Sequence, residues 1–333
     1  MRRWPCLLVV ALGCGRGDPE KAPPTVAPIE DPPCDPTTPK VCVDGDVVAC
    51  ESTGRLGRRL RACHDGCDHG VCKGSCSDDA VKLIYLVDSA NDFLSFDPRL
   101  LPNDPFRLIG KLKCGFGLGS PFSMSVDRSG IAWVVYDTGQ LFKVDITNAH
   151  CEPSAFQAGA TGSTTFGMGF ATDVTGGDTE KLYLAANDGS RALHAMDTAN
   201  NVTPRQVGTI TATSSESPEL TGGADAKLYG FYPATSSIAF VQEIDRGSGA
   251  AVGPRWNLGT TPLGDVNAYA FAQWAGVFYI FTTTWDDNFV LENTVRTVNR
   301  ATGNYEVTMT NIPFRITGAG VSTCAPQRDA KQP

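Results

Sequence analysis

Histidine is scarce in this chain, with four among 333 residues. His64, His69, His150 and His194 each stand apart from any Ser or Asp in a nucleophile motif, which removes the commonest general base from a triad. No uninterrupted apolar run reaches the roughly 18–20 residues that a spanning helix needs. Charged residues make up only 19%, and their balance is −8, which speaks against a nucleic-acid partner. No stretch joins helix caps to a sustained 3.6-residue apolar period, so helical bundles are excluded as the main architecture. The Gly-rich run Gly115-Phe116-Gly117-Leu118-Gly119 opens no helix and is no phosphate loop. No cofactor and no metal are expected.

Glycine (35) and proline (22) are abundant, and they punctuate short strand-like runs. An apolar residue followed by Asp or Asn recurs at Phe96-Asp97, Val144-Asp145, Met196-Asp197, Ile244-Asp245 and Val298-Asn299. The spacing is roughly 50 residues, the length of one propeller blade. Upstream of each pair lies an aromatic and β-branched run, at 82–88, 131–137, 181–187, 227–233 and 277–283. Before four of these, and again near the chain end, come runs with small residues: 122–127, 166–172, 219–224, 268–274 and 318–323. Aligned on the period, Ser125, Gly169, Gly222, Ala270 and Gly320 share one position, as strands converging on a narrow axis require.

The expected fold is all-β: a five-bladed β-propeller over 76–325, preceded by a small disulfide-rich module and followed by a disordered tail, 326–333. The first blade lacks an innermost strand, and 318–323 is the spare, so the C-terminal strand is expected to close the ring. Closure leaves no major sheet edge open to stray pairing. Cys76 and Cys324 flank that seam and are expected to be bonded, as are Cys114 and Cys151 on the outer strands of the first two blades.

The start of the chain reads as an export signal, 1–13: Arg2 and Arg3, the apolar run from Cys6 to Leu12, then Gly13-Cys14. Ala11-Leu12-Gly13-Cys14 resembles the lipobox of bacterial lipoproteins, with Ala11 where Leu is usual. The resemblance implies lipid attachment at Cys14 and, with Gly15 next, an outer-membrane address. Ordinary signal cleavage is the alternative, since Ala11-Leu12-Gly13 is also small-x-small. Parity favours the lipid: of twelve cysteines, losing Cys6 and acylating Cys14 leaves an even set. Residues 14–33, rich in Pro and charge, read as a disordered tether.

Seven cysteines fall between Cys34 and Cys76, and in an exported chain this density means disulfides. Cys63, His64, Cys67, His69 and Cys72 lack the paired C-x2-C knuckles of structural zinc. Asp44-Gly45 and Asp65-Gly66 around Val41, Val43, Val47 and Val48 suggest a β-hairpin core for the module, 34–75. Arg55, Arg58, Arg59 and Arg61 are expected in one loop, a solvated hairpin tip, with contact to anionic lipid headgroups or polysaccharide near the anchor as the alternative.

Candidate ligand-binding residues come from the axial mouth: Phe122, Met124, Phe166, Met168, Glu219 and Tyr269. Glu219 is the only acid placed there, so no catalytic residue is assigned and packing competes for the rest. From Cys34 to Pro326 the plan resembles a group of bacterial envelope lipoproteins that join a Cys-rich module to a propeller-like domain. Pro121-Phe122-Ser123-Met124-Ser125-Val126-Asp127, Pro218-Glu219-Leu220-Thr221-Gly222 and Gly318-Ala319-Gly320-Val321-Ser322-Thr323-Cys324 carry the resemblance. It implies architecture and address, not activity. The first expectation is therefore a monomeric, membrane-anchored, non-enzymatic binding or scaffolding propeller with a protein or glycan ligand. The alternative is a glycoside hydrolase-like enzyme using axial carboxylates, which would need an acid pair about 5–9.5 Å apart.

Overall fold

The structure, a computed structural model, describes residues 34–61, 67–68, 70–72, 76, 80–114, 119–199, 201–214 and 216–327. Cys14, the signal and tether, Cys63, His64, His69 and the tail beyond 327 lie outside the described residues. The N-terminal module is a hairpin of β1 (Lys40–Val43) and β2 (Asp46–Cys50), extended by β3 (Leu56–Arg61), with β4 (Cys67–Asp68) paired to β5 (Val71–Cys72). Asp44 and Gly45 form its two-residue turn at φ 51° and 86°, the pair of left-handed residues that matches strand twist. Disulfides Cys34–Cys50 and Cys42–Cys67 staple the sheet, and among the described residues it buries only Val47 and Cys50 of its apolar side chains. So small a core needs such cross-links. The arginines are not in one loop: Arg58, Arg59 and Arg61 lie on β3, because the free edge of β2 recruits this segment at Val48↔Arg59. Arg59 Nη1 pairs with Asp46 Oδ2 at 3.0 Å.

The rest of the described chain is a β-propeller arrangement of five four-stranded antiparallel sheets. The first holds β6 (Ile84–Asp88), β7 (Asp92–Phe96) and β8 (Phe106–Lys111). The second holds β9 (Pro121–Val126), β10 (Ile131–Tyr136), β11 (Leu141–Asp145) and β12 (Cys151–Pro153). The third holds β13 (Phe166–Thr172), β14 (Glu180–Ala186), β15 (Ala192–Asp197) and β16 (Asn201–Thr209). The fourth holds β17 (Glu219–Gly222), β18 (Leu228–Tyr232), β19 (Phe240–Ile244) and β20 (Ala251–Asn257). The fifth holds β21 (Val266–Trp274), β22 (Val277–Trp285), β23 (Leu291–Asn299) and β24 (Tyr305–Thr310). The last strand, β25 (Ile316–Val321), returns to the first sheet and pairs with β6, Val321 opposite Ile84. The inner strands touch in the cyclic order β9, β13, β17, β21, β25 and back to β9.

The recurring Asp or Asn ends each third strand and folds the chain back. Asp97, Asp145, Asp197, Asp245 and Asn299 each accept, through the side-chain oxygen, the backbone N–H two residues on. These are Asx turns, which need a short acceptor side chain at that one place. Between sheets, apolar faces meet in five clusters, such as Leu86, Phe96, Ala270 and Phe281 between the first and fifth.

The row of small residues lies where inner strands touch. A Cβ on Gly169 would stand 2.9 Å from the Thr221 backbone, and one on Gly320 would stand 2.7 Å from Ser125 Cα. Neither neighbour is a flexible side-chain tip, so the backbone itself would have to move. Gly169→Ala is therefore expected to destabilise the fold by about 1–3 kcal/mol, read as a lower urea midpoint with an unchanged slope.

Two disulfides clip the propeller. Cys76–Cys324, with Cα atoms 4.8 Å apart, joins the approach to β6 to the end of β25. Cys114–Cys151 links the segment after β8 to β12.

Candidate functional site

The inner strands run in one direction, so their starts share one end of the ring. Strand parity decides what each residue there can do. On β9, Met124 points into the packing with Tyr85 and Phe142, while Ser123 and Ser125 face the neighbouring inner strand. Phe166 and Met168 are fully buried with Trp133 and Phe170. Met124, Phe166 and Met168 thus lie in the packing between sheets, where their strand parity turns them. Phe122 is half-buried at the margin of one cluster, and Tyr269 at the margin of another.

An inner strand has a free edge whose N–H groups need acceptors. The hub supplies them from side chains. Phe170 N donates to Ser125 Oγ at 3.1 Å, Gln273 N to Thr221 Oγ1 at 3.2 Å, and Met168 N to Glu219 Oε1 at 3.3 Å. Ser123 Oγ donates to the same Oε1. Glu219 therefore reaches across three sheets, and only 2% of it is exposed. Burial pushes its carboxyl up to about 8, against the pull of the Ser123 hydroxyl and the Met168 and Leu220 N–H groups. Burial thus favours the protonated form, and Oε1 is the atom that receives the hydrogen bonds of Ser123 and Met168.

Tyr269 stands beside it, its hydroxyl donating to Ser217 O at 3.4 Å. Burial raises that hydroxyl first, then the charges of Glu219 and Glu216. Glu216 is exposed on the loop that leads into β17. Two carboxyls in opposite environments thus act on one tyrosine, one buried and the other on an exposed residue. Sequence reading missed Glu216 because it counted acids on strands only. It missed Ser123 because a serine in a small-residue run carries no chemical signal by itself.

The opposite end of the axis also gathers acids. Glu180 accepts Arg128 N at 2.7 Å and Thr323 Oγ1 at 2.5 Å. Its carboxyl is pushed up to about 7 by burial and then by Asp127. Asp127 accepts Ser129 N, Ile131 N and Trp133 Nε1 at 2.8–3.1 Å. With these acceptors committed to strand ends, the pair ties three sheets together. Arg300 does similar work nearby, donating to Gln273 Oε1 at 2.6 Å and Asp225 Oδ2 at 2.9 Å. A cavity of about 570 Å³ lies away from the axis on outer strands, lined by Lys111, Lys113, Asn148, Ala149, His150 and Cys151. Among the described residues no group of three or more His, Cys, Asp or Glu could hold a metal ion, and no helix is long and apolar enough to cross a membrane.

No family model and no curated protein matches this sequence. Among solved structures the chain is similar to an endo-arabinase from Bacteroides thetaiotaomicron VPI-5482, with TM-score 0.40 and 11% identity over 59% of this chain and 81% of that one. It is also similar to a thermostable family-43 glycoside hydrolase, with TM-score 0.40 and 9% identity over 60% and 76%. A third is the GH43B protein of a Bacteroides ovatus xyloglucan locus, with TM-score 0.35 and 14% identity over 59% of this chain and 42% of that one. At such identities the likeness concerns the fold alone. The named structures are described as an endo-arabinase and glycoside hydrolases, which is the finding that stands against the non-enzymatic binding or scaffolding expectation; it is a likeness of fold and assigns this chain no activity.

Proposed function

We propose that this chain is a carbohydrate-active propeller of five blades, closed by its C-terminal strand, that cleaves glycosidic bonds at the end of the axis holding Glu219. One arrangement supports it above others: the carboxyl of Glu219, buried and pushed up to about 8, with exposed Glu216 on the loop leading to it and half-buried Phe122 and Tyr269 at the same end. Glycoside hydrolysis asks for that contrast, since an acid must protonate the leaving oxygen while a carboxylate assists attack at the sugar carbon. In this reading Glu219 gives its proton to the departing glycosidic oxygen. Glu216 takes a proton from the attacking water, whose oxygen forms the new bond to the sugar carbon. Ser123 and Met168 N, held on β9 and β13, keep Glu219 aimed. The test is release of reducing ends from a panel of polymers, arabinan and xyloglucan included. Release that disappears in Glu216→Gln supports the assignment, and no release from any polymer overturns it.

We propose in addition that the protein is anchored to the cell envelope through lipid on Cys14. Three acyl chains hold firmly, at about 0.8 kcal/mol per buried CH₂. Cys14→Ser is expected to move the protein from the membrane to the soluble fraction on ultracentrifugation, and unchanged sedimentation with membranes rules the anchor out.

A further inference from the structure

The fifth sheet is built longer than the others at the Glu219 end. Its second and third strands, β22 and β23, have nine residues each. Their counterparts in the other sheets have five to seven. Thr282 pairs with Tyr269, and the β22–β23 ladder continues to Trp285↔Leu291. At about 3.4 Å per residue the hairpin stands about 10 Å beyond Tyr269.

Its tip is knotted rather than loose. Asp286 Oδ1 accepts Asn288 N at 2.8 Å and Val290 N at 2.7 Å. Asp286 N and O close the turn with Val290 O and Phe289 N at 2.9 and 3.0 Å. This geometry holds Phe289 at φ 59°, a conformation unfavourable for a bulky side chain. The same residue is 84% exposed, with Val290 at 57% and Trp285 at 38% beside it. Packing does not explain an aromatic ring held in strain and in water, and such strain concentrates where ligands are met.

We propose that Trp285 and Phe289 form a stacking platform for a neutral polysaccharide chain, extending the axial mouth to further sugar units. The platform rests on the carbohydrate reading above. Charge selects the occupant. Asp287, Asn288 and Glu292 are exposed on the same hairpin end and Asp286 lies at its turn. Acids there repel phosphate headgroups, nucleic acid and acidic glycans, while carboxylate and amide groups suit sugar hydroxyls. A flat apolar ring set among such acceptors matches a sugar, apolar on its face and hydroxylated on its rim.

Affinity electrophoresis of the full chain in arabinan and xyloglucan gels, with polygalacturonate as the acidic control, tests this. Wild type and the inactive Glu219→Gln variant are expected to be retarded in at least one neutral gel. Trp285→Ala and Phe289→Ala are expected to weaken that retention tenfold or more with an unchanged melting curve, both sites being at an exposed tip. On the same polymer KM rises while cleavage of its short oligosaccharides is unaffected. Retention of both Ala variants equal to wild type, retention only in the acidic gel, or no retention of wild type anywhere overturns the platform. Retention without cleavage leaves the platform and removes the hydrolase reading, so the two fail separately.

Discussion

Glu219→Gln is expected to abolish glycan cleavage while leaving the folded protein more resistant to alkaline pH than wild type. The amide has the shape and neutrality of the protonated acid, and its oxygen still receives Ser123 Oγ and Met168 N. What it lacks is a proton to transfer, and loss of a positioned acid lowers rates by about 10²–10⁴. The stability effect has a definite sign. Glu219 is raised from 4.5 to about 8 in the fold, so between those values the native state holds a proton that the unfolded chain releases. Stability is therefore fullest below the unfolded value and falls as pH rises toward 8. The shift is worth on the order of 5 kcal/mol. Glu180, raised to about 7, contributes a similar decline that both proteins share. Urea midpoints at pH 5, 7 and 9 should thus fall steeply for wild type and less so for the variant. Parallel declines would show that Glu219 is ionised in the fold, and retained cleavage would move the proton donor elsewhere.

Much of this fold is legible in the sequence because two periodicities coincide. The Asx residues mark each third strand, since only a short acceptor can reach the N–H two residues on. The small residues mark the axis, since only they let backbones touch as Gly169 and Thr221 do. From these the spare strand near the C-terminus and the pairing of Cys76 with Cys324 follow. The site is less legible. A strand start brings both parities to the mouth, and sequence alone does not say whether Met124 or Ser123 turns toward the neighbouring inner strand. Once the sheets stack, Met124, Phe166 and Met168 are seen to fill gaps between them. Glu216 was invisible because loops carry no period. The arginines of β3 carry no apolar alternation and so read as a loop; pairing with β2 alone makes that strand. The reach of β22 and β23 was hidden in the same way, since Thr282, Thr283 and Thr284 read as the end of a strand rather than its middle.

Replacing Cys76 and Cys324 together by Ser is expected to produce the largest loss of stability of any change outside the core. The bridge spans 248 positions of the chain, against 37 for Cys114–Cys151. In the chain-entropy account the longer loop restricts the unfolded state by about 5 kcal/mol and the shorter by about 4 kcal/mol. For a domain of this size about 5 kcal/mol lowers the melting temperature by roughly 10–20 °C. The double variant should still fold, because the seam is also held without sulfur. β25 keeps its ladder to β6, Trp274 Nε1 donates to Lys82 O at 2.6 Å, and Thr323 Oγ1 donates to Glu180. The consequence is local as well as global. With the sulfurs gone, the junction of first and last strands becomes the easiest place for the ring to open. Hydrogen exchange should therefore quicken first at Ile316–Val321 and Ile84–Asp88, while β13 and β17 stay protected. A variant that melts with the native protein, or that exchanges evenly around the ring, would mean that the inner strands alone hold the ring shut. The match of the seam's two ends to a single disulfide would then be redundant with the packing around the axis.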